Sequence, residues 1–229
     1  MKKINLLSLL LFFSVSVFSQ GENAAYKAAL NATDNGLTSG GSWIPGKSLD
    51  KIVEGSLYLF SNWNGQYEVI TTGGDSRKIF NLNYNIKTQK IESFISRDSV
   101  FEYDLNQFDY VIKANKKYKV INDAQLNGLF LEVFNGKKLK LFRESKIVVE
   151  EGTFNPLTQE KLTEDKYVQA YVYYFLTEGK YEKTKLGKKG ILKYLKDKED
   201  LVKDFVSKNN LTYTSDGDVS KILNYYNLL

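Results

Sequence analysis

The sequence predicts a mainly β protein with a C-terminal α-helical part: an antiparallel β meander that forms a barrel or a sandwich and is capped by three short helices. Two observations predict this fold class. Between residues 57 and 186, short runs rich in tyrosine, phenylalanine, valine and isoleucine alternate with polar turns, which is typical of antiparallel strands. After Leu186 the apolar residues are spaced three and four apart, which is typical of amphipathic helices.

The β region contains eleven candidate strands. In chain order they are QYEVITT, KIFNLNYNI, KIESFI, VFEYD, FDYVIK, KYKVI, LFLEVF, KLKLFRE, KIVVEE, YVQAYVYYFL and KYEKTKL. The connections between them leave no room for the helices that parallel strands need, so the strands are predicted to be antiparallel. The YVQAYVYYFL run carries apolar residues on both faces and is predicted to be a central, buried strand.

Three apolar stripes predict the three helices. They consist of Ile191, Leu192 and Leu195; of Leu201, Val202, Phe205 and Val206; and of Val219, Ile222, Leu223 and Tyr226. Asp197 is expected to cap the second helix, and Ser215 with Asp218 has the spacing of a capping box before the third. Helices this short need a surface to pack on, so Phe205→Asp is expected to destabilise the whole protein.

The N-terminus has the pattern of a secretory signal peptide. Lys2 and Lys3 precede an apolar run from residue 4 to residue 18, and cleavage after Ser19 fits the preference for small residues. The run is shorter than the roughly 20 residues that span a bilayer, and no other segment reaches that length. The mature chain is therefore expected to be exported, periplasmic or secreted, without a transmembrane span.

These patterns divide the chain into four predicted parts. Residues 1–19 are the signal peptide, and residues 20–55 form an irregular segment with room for a short helix at 22–30. Residues 56–186 form the antiparallel β domain. Residues 187–229 form a helical subdomain that packs on the β domain.

The composition narrows the function classes. The net charge is +5, and loss of Lys2 and Lys3 with the signal peptide reduces an excess that is already too small to indicate nucleic acid binding. The chain has 0 His and 0 Cys, which excludes disulfides, thiol nucleophiles, Ser-His-Asp triads and the usual zinc sites. No metal site, cofactor or catalytic residue is predicted, and folding is expected to be independent of divalent metal ions.

Carboxylate chemistry remains the enzymatic alternative, as in a glycan hydrolase with two carboxyl groups facing each other across a cleft. The candidate acids are Glu102, Asp104, Asp109, Glu160 and Glu164. No spacing singles out a pair among them, and the neighbours Glu150 and Glu151 would point to opposite faces of a strand. Ser48 and Lys51 match a Ser-x-x-Lys pattern, which a chain this rich in serine and lysine contains by chance.

The stretch FNLNYNI alternates apolar residues with asparagines and predicts a hairpin with the following run. The predicted pairs are Phe80–Ile95, Leu82–Ser93, Tyr84–Ile91, Asn81–Phe94, Asn83–Glu92 and Asn85–Lys90. We interpret the asparagine face as the solvated face of a half-buried sheet, on which Asn83→Thr is tolerated and Leu82→Asp is not. The functional alternative is a platform for sugar hydroxyls or calcium, built from Asn81, Asn83 and Glu92.

Aromatic residues are abundant, with 16 Tyr, 14 Phe and 2 Trp. Tyrosine and tryptophan often keep part of the ring exposed, where a ligand can stack. Trp43 and Trp63 lie in loop-like sequence and are the predicted binding residues, with core packing as the alternative for both.

Four segments carry a family resemblance: GSLYLF, NLNYNI, GKKLKLFRES and KKGILKYLKDKEDLVKDFVSKNNLTYTSDGDVSKILNYYN. The chain resembles a family of small exported bacterial proteins, and the resemblance covers most of the mature chain. It implies a β-rich body with a helical tail, and it assigns no functional residues.

The expected function is that of an exported, non-catalytic protein of the cell envelope that acts as a binding or structural module. Its expected partner is another envelope protein or a glycan. The alternatives are a carboxylate-dependent glycan hydrolase and a soluble glycan-binding protein.

Overall fold

The computed structural model describes residues 41–45, 54–96 and 99–229. The mainly β fold class is confirmed, because 47% of residues lie in strands and 19% in helices. The described strands form two largely antiparallel sheets that do not close into a barrel, so the barrel option is wrong. The predicted signal peptide, the helix at 22–30 and the pair Ser48 and Lys51 lie outside the described residues.

The strands are numbered in chain order. They are β1 Ser42–Pro45, β2 Glu54–Gly55, β3 Gln66–Thr71, β4 Ser76–Phe80, β5 Leu82–Asn85, β6 Lys90–Ser96, β7 Ser99–Tyr103, β8 Phe108–Lys113, β9 Lys116–Asn122, β10 Asn127–Asn135, β11 Lys140–Glu150, β12 Lys166–Thr177 and β13 Lys180–Thr184. The small sheet has the order β1-β7-β6-β5. The large sheet has the order β13-β12-β11-β10-β9-β8-β3-β4, with β2 pairing in parallel with β12.

The chain passes from the large sheet to the small one at Asn81. Phe80 ends β4 and pairs with Gln66 in the large sheet, whereas Leu82 begins β5 in the small sheet. Asn81 has a φ of 55°, a left-handed conformation that asparagine tolerates better than most residues. KIFNLNYNI is therefore two strands rather than the one predicted, whereas KLKLFRE and KIVVEE belong to one strand, β11.

The main core lies between the two sheets. Its buried side chains include Tyr67, Val69, Leu82, Tyr84, Ile91, Phe101, Phe108, Val111, Tyr118, Leu129 and Leu131. Since these residues come from strands of both sheets, the sheets are two layers packed face to face around one apolar interior. The Tyr-rich strand β12 is less buried than predicted, because Phe175 is its one fully buried residue and Tyr171 is exposed.

The C-terminal part contains helices α1 Lys188–Leu192, α2 Glu199–Lys208 and α3 Asp216–Leu228, with a 3₁₀ turn at Lys196–Lys198. The prediction of three short helices holds in part, because α1 is a single turn and α3 has 13 residues. A second core joins the helices to the large sheet. It includes Leu141, Phe175, Ile191, Leu195, Val202, Val219, Ile222 and Leu223.

The start of α3 is tied to the large sheet. Ser215 caps the helix as predicted, with its side chain accepting the Asp218 N–H. Asp216, in the first turn, forms an ion pair with Arg143 of β11 and accepts a hydrogen bond from the Tyr173 hydroxyl at 2.9 Å. The prediction for Asp197 is wrong: α2 has no side-chain cap, and Asp197 accepts the Tyr226 hydroxyl at 2.8 Å.

Candidate functional site

The β5–β6 hairpin has the predicted register over β5. Leu82 pairs with Ser93, Asn83 with Glu92, Tyr84 with Ile91 and Asn85 with Lys90. The predicted pair Phe80–Ile95 is wrong, because Phe80 belongs to the large sheet.

Asn83, Asn85 and Glu92 on the asparagine face of this hairpin are buried, so the interpretation as a solvated face is wrong for them. Residues 57–59 lie beside β5, where Tyr58 forms an isolated antiparallel bridge with Asn85 and the Leu59 N–H donates to the Tyr84 carbonyl at 2.9 Å. The Asn83 side chain, which is 0% exposed, continues this pairing. Its Oδ1 accepts the Phe60 N–H and its Nδ2 donates to the Phe60 carbonyl, both at 3.0 Å. The Asn83 amide thus provides the hydrogen bonds that a neighbouring strand would otherwise give to the Phe60 backbone.

The remaining polar groups on this face bond to one another. The Tyr58 hydroxyl donates to Glu92 at 2.8 Å, and Asn85 Nδ2 donates to Glu92 at 3.1 Å. Burial and the neighbouring Glu92 raise the pKa of Tyr58, so this hydroxyl remains a donor. Asn85 Oδ1 accepts the N–H groups of Lys87 and Thr88 and shapes the hairpin turn. The alternative of a sugar or calcium platform is not supported, since two of its three members, Asn83 and Glu92, are buried and already bonded.

A cleft opens where β10 separates from β11. The two strands pair from Asn135–Lys140 to Phe130–Glu144, and there their ladder ends. Residues 127–129 of β10 continue to pair with β9, and residues 145–150 of β11 continue to pair with β12. Within the described residues, no strand pairs with the other side of residues 145–150. The cleft has a volume of about 380 Å³.

The β5–β6 hairpin contacts the start of β10 at the cleft. The Leu129 N–H donates to the Tyr84 hydroxyl at 3.3 Å. Burial raises the pKa of Tyr84 to about 12, which keeps this hydroxyl neutral. Gly128 has a φ of +132°, and a Cβ atom at this position would lie 2.7 Å from the Tyr84 oxygen. Gln89 adds a hydrogen bond to the Asn127 carbonyl at 3.3 Å. Gly128 therefore allows the hydroxyl to take the place of a β11 backbone group.

The cleft is lined by both apolar and polar side chains. They include Ile86, Leu129, Ile147 and Val149 together with Lys87, Gln89, Lys146, Ser145 and Tyr167. Glu144 is the one carboxylate among the lining residues, and it accepts the Tyr174 hydroxyl at 2.9 Å and Lys146 at 3.1 Å. Burial and Glu144 raise the pKa of Tyr174 to about 12. Glu144 is thus a single carboxylate that already has two partners, whereas glycosidic hydrolysis uses two carboxyl groups.

The predicted candidate acids lie apart from this cleft and have partners of their own. Glu102 pairs with Lys90 at 3.2 Å, and Asp109 pairs with Lys119 at 2.7 Å. Asp104 caps the 3₁₀ turn Leu105–Gln107. Glu160 and Glu164 lie in the loop between β11 and β12.

Of the two predicted binding residues, Trp63 is not among the residues that line the cleft. Trp63 is half-buried, and its ring centroid is 4.6 Å from that of Tyr58 and 6.0 Å from that of Phe94. Phe94 is 37% exposed, so the two rings form a small aromatic surface on the outer side of the small sheet. Trp43 lies in β1 opposite Phe101, and its side chain is outside the described part of the chain.

The cleft was not predicted, although one signal pointed to it. Gly128 directly precedes the predicted run LFLEVF and lies inside the observed strand β10, and a glycine inside a strand often marks close approach of another group. In the described ranges, no group of three or more His, Cys, Asp or Glu could hold a metal ion, and no helix is long and apolar enough to cross a membrane. Comparison with family models, curated proteins and solved structures finds no match to this chain.

Proposed function

We propose that this protein is an exported, non-catalytic protein-binding module that adds an extended polypeptide segment to the free side of β11. The observation that carries this proposal is the break in the ladder at Phe130–Glu144, after which residues 145–150 pair only with β12 among the described strands. Every second residue of such a strand turns its N–H and C=O away from its partner, so an added strand can bond to them.

The side chains of this edge also favour an added strand. Val148 is 45% exposed and Val149 is 53% exposed. Natural proteins usually protect open edges with charged residues. The edge strand β4 carries Arg77 and Lys78 within it, whereas the free part of β11 has its charges, Lys146 and Glu150, on either side of three consecutive apolar residues at 147–149. Covering this segment would remove apolar surface from water as well as satisfy its backbone.

The cleft beside the free edge of β11 makes binding selective for the side chains of the added segment. Ile86, Leu129 and Ile147 in the lining of the cleft offer apolar contacts to one side chain of the added segment, and Lys87 in the same lining offers a charged one. The predicted signal peptide and the resemblance to small exported bacterial proteins favour the cell envelope as the location of this binding. The partner is then an envelope protein, and the helical subdomain serves to stabilise the sheet that presents the edge.

We expect a labelled pentapeptide of alternating valine and threonine to bind the mature protein, because an added strand is held mainly by backbone hydrogen bonds. A peptide with the same side chains, N-methylated along one edge, should not bind, since it has lost those donors. Fluorescence anisotropy measures both affinities. Hydrogen exchange should slow at residues 146–150 and remain unchanged in β13. Equal affinity for the two peptides, or no binding below about 1 mM, would contradict the proposal.

Glycan binding is the second candidate, because Trp63 and the exposed Phe94 form an aromatic surface. Stacking of a sugar ring on this surface should quench tryptophan fluorescence. The Phe94→Ala variant should weaken the response about tenfold, which corresponds to loss of one aromatic contact. Tyr171→Ala, at another exposed aromatic position, is the control. A response to soluble oligosaccharides that Phe94→Ala leaves unchanged would exclude this surface.

A further inference from the structure

We infer that the segment added to β11 is β11 of a second copy of this chain, so that the protein pairs with itself edge to edge. This inference rests on the proposed function and names the partner of the same site. Its basis is the sequence of the free edge: lysine, isoleucine, valine, valine and glutamate at positions 146–150. When two copies of this segment lie antiparallel, the lysine of each faces the glutamate of the other, and the apolar residues face one another.

The complementarity defines one antiparallel register. With Val148 opposite Val148 of the second copy, Lys146 lies opposite Glu150 and Ile147 lies opposite Val149. Opposite charges that face each other across a strand pair stabilise it, and like charges destabilise it. Because the arrangement has two-fold symmetry, each Lys–Glu pair forms twice. A shift by two residues would remove both pairs.

Lys146 and Glu150 are both exposed enough to make these contacts. Lys146 is already 3.1 Å from Glu144, but its side chain is 51% exposed. Glu150 is 3.3 Å from Lys166, and its side chain is 58% exposed. Each can therefore accept a further partner without being buried. Such surface pairs contribute little energy and act mainly by selecting the register.

The apolar residues and the backbone supply the rest of the interface. The exposed Val148 and Val149 would be covered, and the free N–H and C=O groups of both strands would pair. The contact is isologous and closes on itself, so it gives a dimer rather than a fibre. Since each copy contributes only residues 146–150, the interface is small, and the dimer should be weak and dependent on concentration.

Sedimentation of the mature protein from about 1 µM to about 1 mM tests the inference. We expect a reversible dimer. Lys146→Glu should weaken dimerisation about tenfold because it places two carboxylates opposite each other twice, and Glu150→Lys should do the same with two ammonium groups. Lys180→Glu, a charge reversal on the opposite edge strand β13, should leave the dimer unchanged.

Mixing the two single variants separates pairing between chains from damage within one chain. In the mixed dimer, the carboxylate introduced at position 146 of one chain faces the ammonium group introduced at position 150 of the other. The second pair joins the two unchanged residues, so affinity should return to that of the wild type. The double variant Lys146→Glu, Glu150→Lys should also dimerise.

Thermal unfolding at low concentration checks that every variant is folded. A dimer that the single variants do not weaken, or a mixture that does not recover, would overturn the inference.

The peptide experiment distinguishes failure of this inference from failure of the proposed function. A protein that remains monomeric at all concentrations but still binds the valine–threonine peptide adds strands from other proteins, and only the inference of self-pairing is wrong. A protein that remains monomeric and binds no peptide contradicts both.

Discussion

Replacing Asn83 with alanine is expected to lower the free energy of unfolding by about 3–5 kcal/mol, because three buried backbone groups lose their partner. Asn83 accepts the N–H groups of Phe60 and Tyr84 and donates to the Phe60 carbonyl. The side chain is 0% exposed, so water cannot take its place. Urea denaturation measures the effect, with the slope of the transition showing whether the unfolded state has changed.

Asn64→Ala is the matched control, because Asn64 lies in an exposed loop a few residues away from the 57–60 segment. We expect it to change stability by less than about 0.5 kcal/mol. If Asn83→Ala has an equally small effect, then residues 57–60 do not cover this face in solution. The expectation that Asn83→Thr is tolerated must also be reversed, since threonine cannot reproduce both the donor and the acceptor of the amide.

Replacing Val202 with aspartate is expected to destabilise the whole protein by about 4–5 kcal/mol or to prevent folding, because a charge would enter the second core. Val202 is 0% exposed and lies in one apolar cluster with Leu141 and Phe175 of the large sheet. Val202→Ala is the milder test and should cost about 1–3 kcal/mol. Thermal unfolding of the mature protein measures both effects.

Leu201, next to Val202 in the chain, supplies the control for Val202→Asp. Leu201 is 48% exposed, so Leu201→Asp should cost less than about 1 kcal/mol. Phe205 is a weaker test than the sequence suggests, because it is half-buried, stacks on Tyr225 with the ring centroids 4.1 Å apart and is not part of the second core. We therefore expect Phe205→Asp to cost about 1–2 kcal/mol. Equal effects at 201 and 202, or an unchanged midpoint after removal of residues 187–229, would show that the helices are not part of the folded unit.

The hairpin shows how much a local pattern can predict. Alternation of apolar and polar residues over Leu82–Asn85 specifies which side chains share a face, and a slip of one residue would reverse both faces. Four pairs of β5 and β6 were predicted correctly for this reason. The prediction failed at Phe80 because apolar and polar residues keep alternating across Asn81, although the chain passes into the other sheet at that residue.

By itself, the sequence determined the mainly β class, the helical C-terminus, the cap at Ser215 and the register of the β5–β6 hairpin, because each depends on residues close together in the chain. Only the tertiary structure decided what covers the asparagine face and where β10 separates from β11. Phe60 meets Asn83, and Leu129 meets Tyr84, across separations of 23 and 45 residues. A local pattern can show that a face is polar, but whether water or a distant backbone satisfies it depends on how the layers pack.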